Sequence, residues 1–259
     1  MFSDYGKDIV RSIAFLSRLP VPARLFEGQD HSLSVMIRAF PAAGFIVAMP
    51  AALTLLILSA AHAPPLLAAL IALAVNSIVT GALHEDGLAD VADGFGGGQR
   101  KDRILEIMRD SRIGTYGGLA LILTLAIRAA ALSSLLAVIS PIGAVLVFLG
   151  VATVSRTTML CHWYALPAAR SDGVAAKSGL PDRTALLTAL VVGAVIAICC
   201  FSPVMPVYSW TTAIVMALVL AGLFTIFSDR KIGGHTGDTI GASQQISEMA
   251  LLATFAIVA

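Results

Sequence analysis

Hydrophobic positions in this chain run in long unbroken stretches rather than in alternation. Six such stretches lie at about 41–60, 65–83, 118–138, 141–160, 185–203 and 207–227. A bilayer-spanning helix needs roughly 20 mostly apolar residues, so each is long enough for one. Continuous apolar runs without period-2 alternation exclude ordinary strands. The pattern therefore predicts an all-α, polytopic membrane helix bundle of about six to seven transmembrane helices. A seventh run, from about 246 to Ala259, is short for a full span and is expected to be tilted, partial or re-entrant. Pro64-Pro65, Ser140-Pro141 and Pro203 with Pro206 mark the breaks.

The connections alternate in character. Residues 61–64, 139–141 and 204–206 carry no Asp, Glu, Lys or Arg, whereas 84–117, 161–184 and 228–245 are long and charged. Of the 17 Lys and Arg, all but Arg128 and Arg156 fall in the N-terminal segment or in those charged connections. Basic residues accumulate on the cytoplasmic side, which predicts that the N-terminus and all long connections face the cytoplasm. The first 40 residues form a separate cytoplasmic or interfacial segment. There KDIVRSIAFLSRL mixes Ile9, Val10, Ile13, Phe15 and Leu16 with Lys7, Arg11 and Arg18. It reads either as an interfacial amphipathic helix or as a helix packed on the bundle, ended by Pro20 and Pro22. No internal repeat is evident, and a single domain over 1–259 is expected.

Composition sharpens this picture. The chain is 58% hydrophobic and 13% charged, against roughly 45–50% and about 25% in soluble domains. A net charge of +1 gives no support for nucleic-acid binding. Cys161, Cys199 and Cys200 lack metal-ligand spacing; Cys199 and Cys200 read as buried packing residues. The N-terminal MFSDYGKDIV lacks a signal-peptide core.

The chemistry concentrates in His84-Glu85-Asp86-Gly87-Leu88-Ala89-Asp90-Val91-Ala92-Asp93-Gly94-Phe95, at the end of the second apolar run. If this stretch is helical, Asp86, Asp90 and Asp93 stand at i, i+4 and i+7 on one face. Carboxylates so stacked repel one another unless a cation neutralises them, and hard oxygen ligands suit Mg²⁺ bridging to phosphates. The alternative is a solvated acidic loop. The interleaved Leu88, Ala89, Val91 and Ala92, beside an apolar span, favour a metal site. Asn76 and Thr80, deeper in the same run, are placed to line its approach.

Further polar blocks accompany it. Gly94, Gly96, Gly97 and Gly98 offer backbone amides to phosphate, or are only a turn. In MRDSRIGTYG (108–117), Arg109, Asp110 and Arg112 form a candidate substrate-binding group, the arginines holding phosphate bidentately or serving as positive-inside anchors. Arg156, about a turn inside its span, is the intramembrane charge at the depth expected of a substrate contact. Arg128, near mid-span, must face protein or a polar cavity. In KIGGHTGDTIGASQ, Asp238 is a candidate further metal ligand, and His235 either shuttles a proton, binds substrate or is simply solvated. Glu248 is a snorkelling acid or part of the polar cavity.

The segments FLSRLPVP (15–22), FPAAG (40–44), HEDGLADVADGFGGG (84–98), MRDSRIGTYG (108–117) and GGHTGDTIGA (233–242) together resemble the cobalamin synthase family, the adenosylcobinamide-GDP ribazoletransferases. The likeness extends over nearly the whole chain; the combination is specific although each motif alone is not. The resemblance implies a Mg²⁺-dependent, membrane-bound transferase of the bacterial cytoplasmic (inner) membrane. It would pass adenosylcobinamide-phosphate from adenosylcobinamide-GDP to α-ribazole or its 5′-phosphate and release GMP. On that reading Asp86, Asp90 and Asp93, with Glu85 or Asp238, hold one or two Mg²⁺. Arg109, Arg112 and Arg156 neutralise phosphate, and a carboxylate or His84 takes the acceptor's proton, with His235 the other catalytic candidate. Self-association and a complex with other cobalamin enzymes stay open. Two rivals are a CDP-alcohol-type phosphotransferase, whose DG-x-x-A-R pattern is incomplete here, and a transporter, which would spread its charges through the membrane depth.

Overall fold

A computed structural model describes residues 2–22 and 33–259. Residues 23–32 of the N-terminal segment, Arg24 among its basic residues, lie outside the described residues. The described residues are mostly helical and form no strand beyond one isolated bridge between Ala168 and His235. In order, the helices are α1 (Phe2–Leu16), α2 (Leu33–Met36), α3 (Phe40–Ala60), α4 (Pro65–Thr80), α5 (Leu83–Gly97) and α6 (Lys101–Ile107). They continue as α7 (Thr115–Val138), α8 (Pro141–Ala165), α9 (Val174–Ser178), α10 (Arg183–Phe201), α11 (Val207–Ile232) and α12 (Gly237–Val258). The prolines that interrupt the apolar pattern start helices: Pro65 and Pro141 occupy first turns, where a missing N–H costs nothing. Ser140 caps α8 by accepting the Gly143 N–H.

Five segments are long and apolar enough to cross a membrane: Leu33–Ala60, α7, α8, α10 and α11; α4 and α5 qualify only as a pair bent by 91°. The most apolar stretch of α8 is 83% buried, against 28–39% in the other four. That contrast makes α8 the central post, with the others turning one side outward. Leu53, Ile57, Ile122, Leu187, Val191 and Leu223 stand exposed on those outer sides. Apolar residues outside as well as inside are what a lipid-embedded bundle requires.

The structure departs from the sequence pattern in three places and decides one that the pattern left open, the packing of α1. The stretch 84–117 is not a loop: α5 and α6 occupy most of it, and α5 carries the whole acidic motif as helix. Its direction is set by Gly81 and Ala82, consecutive residues with φ of +65° and +56°. This pair closes α4, with the Ala82 N–H donating to the Ser77 carbonyl. Second, α12 begins at Gly237 rather than near 246 and has 22 residues. Its first half carries Thr239, Ser243, Gln244, Gln245, Ser247 and Glu248, all buried; those polar residues hide a helix that packs against α5, α7, α8 and α11. Third, α1 packs on α3 and on the 37–39 turn, with buried Asp8 ion-paired to Arg38 at 2.6 Å. Beyond it, the Arg18 N–H donates to Val79 O at 2.7 Å and seats the 15–22 segment on the end of α4. Fourth, Cys200 is buried but Cys199 is exposed, because neighbours on a helix point about 100° apart and cannot both face inward.

Candidate active site

The acidic helix meets the start of α12 at close range. A Cβ at Gly87 would lie 2.7 Å from the Asp238 carbonyl oxygen, so only glycine lets the two backbones approach this far. Beside this contact opens a cavity of about 330 Å³. Its polar wall comes from His84 and Asp86 of α5, Arg170 and Asp172 after α8, and His235, Thr236 and Asp238 around the start of α12. Its apolar wall includes Phe15 and Leu16 of α1, Phe40 of α3, Met159 and Trp163 of α8, and Ile240 of α12.

Local chemistry fixes each polar group. Thr236 caps α12 by accepting the Thr239 N–H, while its hydroxyl donates to Asp238 at 3.2 Å. The helix thus turns its electropositive end toward the cavity. Arg170 stands 3.5 Å from Asp238, and its Nη1 is buried without a partner among the described residues. His235 is held by its backbone, which pairs with Pro167 and Ala169; its Nδ1 is likewise buried and unpartnered. Burial pushes the His235 pKa down to about 4, so the ring is neutral near pH 7. One turn along α5, Asp90 is half-buried, and Asp86, Asp238 and Asp93 all lie near enough to act on its charge.

Two of the expected metal ligands are engaged elsewhere. Both oxygens of Asp93 accept backbone N–H groups, from Gly114 at 2.6 Å and Gly117 at 2.8 Å. Asp93 therefore fastens α5 to the start of α7, and side chains at either glycine would collide with it. Glu85 turns into the bundle instead: Arg128 Nη2 donates to it at 3.2 Å and Arg128 Nη1 to Glu248 at 2.9 Å. Gln244 extends this buried network by donating to Glu248 and Ser155. Glu248 is thus part of a polar interior, not an interfacial snorkel.

The basic residues expected to contact substrate are also placed differently. Arg156 is 1% exposed, donates to Ala152 O and does not line the cavity. Arg109 pairs with Asp172 at 2.7 Å on the exposed rim. Asp110 and Arg112 pair with each other at 2.6 Å, and that arginine holds the Asp110 carboxyl down at about 2. Asn76 and Thr80 are buried in α4, away from the cavity. The cavity thus unites His84, Asp86, His235 and Asp238, with Asp90 beside them, and leaves Asp93, Glu85, Arg109, Asp110, Arg112 and Arg156 outside.

Sequence reading missed Arg170. In Ala168-Ala169-Arg170-Ser171-Asp172 it looks like any basic loop residue, and only the paired backbones of 167–169 and 235 bring it to Asp238. Among the described residues, no three His, Cys, Asp or Glu side chains already converge on a metal position. The donor set of Asp86, Asp90 and Asp238 nonetheless has the chemistry of a Mg²⁺ site, since that ion keeps waters and takes one or two carboxylates plus substrate oxygens.

Fold and site together define a polytopic membrane enzyme whose polar chemistry sits at one end of a helix bundle. A family model described as cobalamin-5-phosphate synthase matches residues 8–256. A protein from Sinorhizobium medicae (strain WSM419) is 48% identical over 258 residues, covering 98% of this chain and 97% of that protein. One from Rhizobium etli (strain CIAT 652) is 49% identical over 253 residues, with coverages of 98% and 97%. One from Brucella ovis (strain ATCC 25840 / 63/290 / NCTC 10512) is 42% identical over 245 residues, with coverages of 95% and 94%. All three are named adenosylcobinamide-GDP ribazoletransferase. No solved structure matches. The chain belongs to the cobalamin-5-phosphate synthase family and is a transferase of cobalamin biosynthesis.

Proposed function

We propose that the protein transfers adenosylcobinamide-phosphate from adenosylcobinamide-GDP to α-ribazole or α-ribazole 5′-phosphate, releasing GMP. The observation that carries this reading is the meeting of Arg170, with an unpaired guanidinium nitrogen, and three carboxylates at the electropositive end of α12. An anionic pyrophosphate finds cationic and backbone partners there. Asp86, Asp90 and Asp238 are the residues that would hold Mg²⁺, which shields pyrophosphate charge and stabilises the departing phosphate when bound.

The acceptor's ribose hydroxyl attacks the phosphorus bonded to cobinamide. A new P–O bond forms, the bridging P–O bond breaks toward GMP, and the hydroxyl proton passes to a base. His235 suits this role: it is neutral near pH 7, with an unpartnered ring nitrogen beside the acids. His84, buried in the same wall, is the alternative.

The cavity lies at the end of the bundle where the charged connections gather, which by the distribution of Lys and Arg is the cytoplasmic side of the inner membrane. The test is direct. Protein purified in mild detergent is incubated with adenosylcobinamide-GDP, α-ribazole and Mg²⁺, with EDTA as control, and GMP and cobamide are separated by chromatography. Both products appearing only with metal uphold the reading; neither appearing from folded protein overturns it.

A further inference from the structure

We infer that the apolar half of the cavity is the acceptor subsite. The base of α-ribazole seats among Phe40, Met159, Trp163 and Ile240, its ribose faces His235 and Asp238, and the corrinoid donor stays outside over Asp86 and Asp90. This inference rests on the transferase reading above and assigns its two substrates to different sides of the acidic helix.

Size gives the first argument. A cavity of about 330 Å³ is at the lower end of the roughly 300–1,000 Å³ typical of small-molecule sites. It accommodates a benzimidazole nucleoside and is far too small for a corrinoid, which is several times larger. The donor's bulky ring must remain outside while its pyrophosphate reaches the polar rim.

The wall chemistry agrees. Phe40, Met159 and Ile240 present hydrocarbon and a thioether, which suit a flat alkylated aromatic ring. Two residues of this wall each carry a buried, unpaired polar atom. Trp163 and His235 are each 2% exposed and line the cavity. The indole N–H of the first and Nδ1 of the second have no partner among the described residues. Their rings meet edge to face, with centroids 6.2 Å apart, forming one polar corner. A buried polar atom left unpaired is costly, so the corner calls for a ligand bringing one acceptor and one hydroxyl. A benzimidazole nucleoside brings both: its free ring nitrogen accepts the Trp163 N–H, and a ribose hydroxyl bonds His235. Guanine, the other base in the reaction, carries more donors and acceptors than this corner can satisfy.

The experiment measures KM for each substrate separately in the full-length, detergent-purified enzyme. Met159→Trp fills the cavity, and Trp163→Phe removes only the indole N–H. The subsite predicts that Met159→Trp raises the α-ribazole KM by about tenfold or more, and Trp163→Phe by about fivefold. The KM for adenosylcobinamide-GDP should stay within about twofold, since the donor lies outside the filled space. If thermal melting shows that Met159→Trp does not fold, Trp163→Phe alone decides. An unchanged acceptor KM overturns the subsite while wild-type turnover leaves the transferase reading intact. A donor KM that rises instead places the guanosine end in the cavity and also overturns it. A folded wild-type protein without turnover overturns the transferase reading itself.

Discussion

Arg128 in α7 donates to Glu248 in α12 at 2.9 Å, with the arginine only 1% exposed. The same guanidinium holds Glu85, the second residue of the acidic motif, at 3.2 Å. One buried cation therefore joins α7, the polar half of α12 and the first turn of α5. Through Glu85 it fixes the helix phase of α5, and with it the direction in which Asp86 and Asp90 point. Removing one partner of a buried ion pair leaves uncompensated charge, at a cost of about 3–5 kcal/mol. Arg128→Ala should lower the melting temperature in detergent sharply, and Glu248→Gln, which keeps shape and hydrogen bonding, should cost less. Equal melting of Arg128→Ala and wild type would show that this network does not organise the bundle.

Asp90 and Asp93 sit three residues apart, yet the structure gives them different work. Asp90→Asn should reduce turnover by at least ~10²-fold, the scale seen when a group acting on transition-state charge is lost, with melting unchanged. Asp93→Ala removes the acceptor for two N–H groups and should cost about 1–3 kcal/mol. It should also make residues 108–117 more susceptible to proteolysis. Wild-type turnover by Asp90→Asn would remove Asp90 from the chemistry.

Sequence and structure agree unevenly, and the reasons are physical. All six apolar runs became helices because lipid rewards unbroken hydrocarbon, a signal that needs no knowledge of packing. The helical placement of Asp86, Asp90 and Asp93 on a common face was legible from spacing alone. Which of those acids is free was not: Asp93 is claimed by Gly114 and Gly117, 21 and 24 residues away. The start of α12 was hidden because its buried Ser and Gln residues resemble a loop in composition. Arg156 looked like a substrate contact because depth along a span can be read from sequence, whereas helix rotation cannot.

Acid should weaken the fold through His235. Its pKa is held near 4 by burial, against about 6.5 in an unfolded chain. Above about pH 6.5 both states are neutral at this residue and it contributes no pH dependence. Between 6.5 and 4 the unfolded state binds the proton that the folded state refuses, so stability falls as pH falls and levels off below 4. Melting temperatures measured across that window should decline less steeply for His235→Gln than for wild type. Parallel curves would refute the assignment.

At the bend between α4 and α5, Ala82 occupies a left-handed conformation, φ +56°, that a side chain tolerates poorly. Ala82→Gly should stabilise the protein by about 0.5–1 kcal/mol. Gly81→Ala should destabilise it, since the added methyl would both strain a φ of +65° and run into the Arg18 side chain. Melting of the two variants in the same detergent checks both signs.

The salt bridge that opens this section also imposes a schedule on biosynthesis. Arg128 and Glu248 are 120 residues apart in sequence, and at about 5–20 residues per second a ribosome takes roughly 6–24 seconds to cover that interval. Throughout that delay α7 has been made with a charge at mid-helix and without its α12 partner. Until α12 arrives, Arg128 can pair with Glu85, which is already made, but not with Glu248; α12 also carries Asp238 at its first turn, with His235 just before it. Assembly of the reactive cavity is thereby tied to completion of the fold, so a ribosome stalled after α11 leaves a chain in which both the interior network and the cavity lack their α12 half.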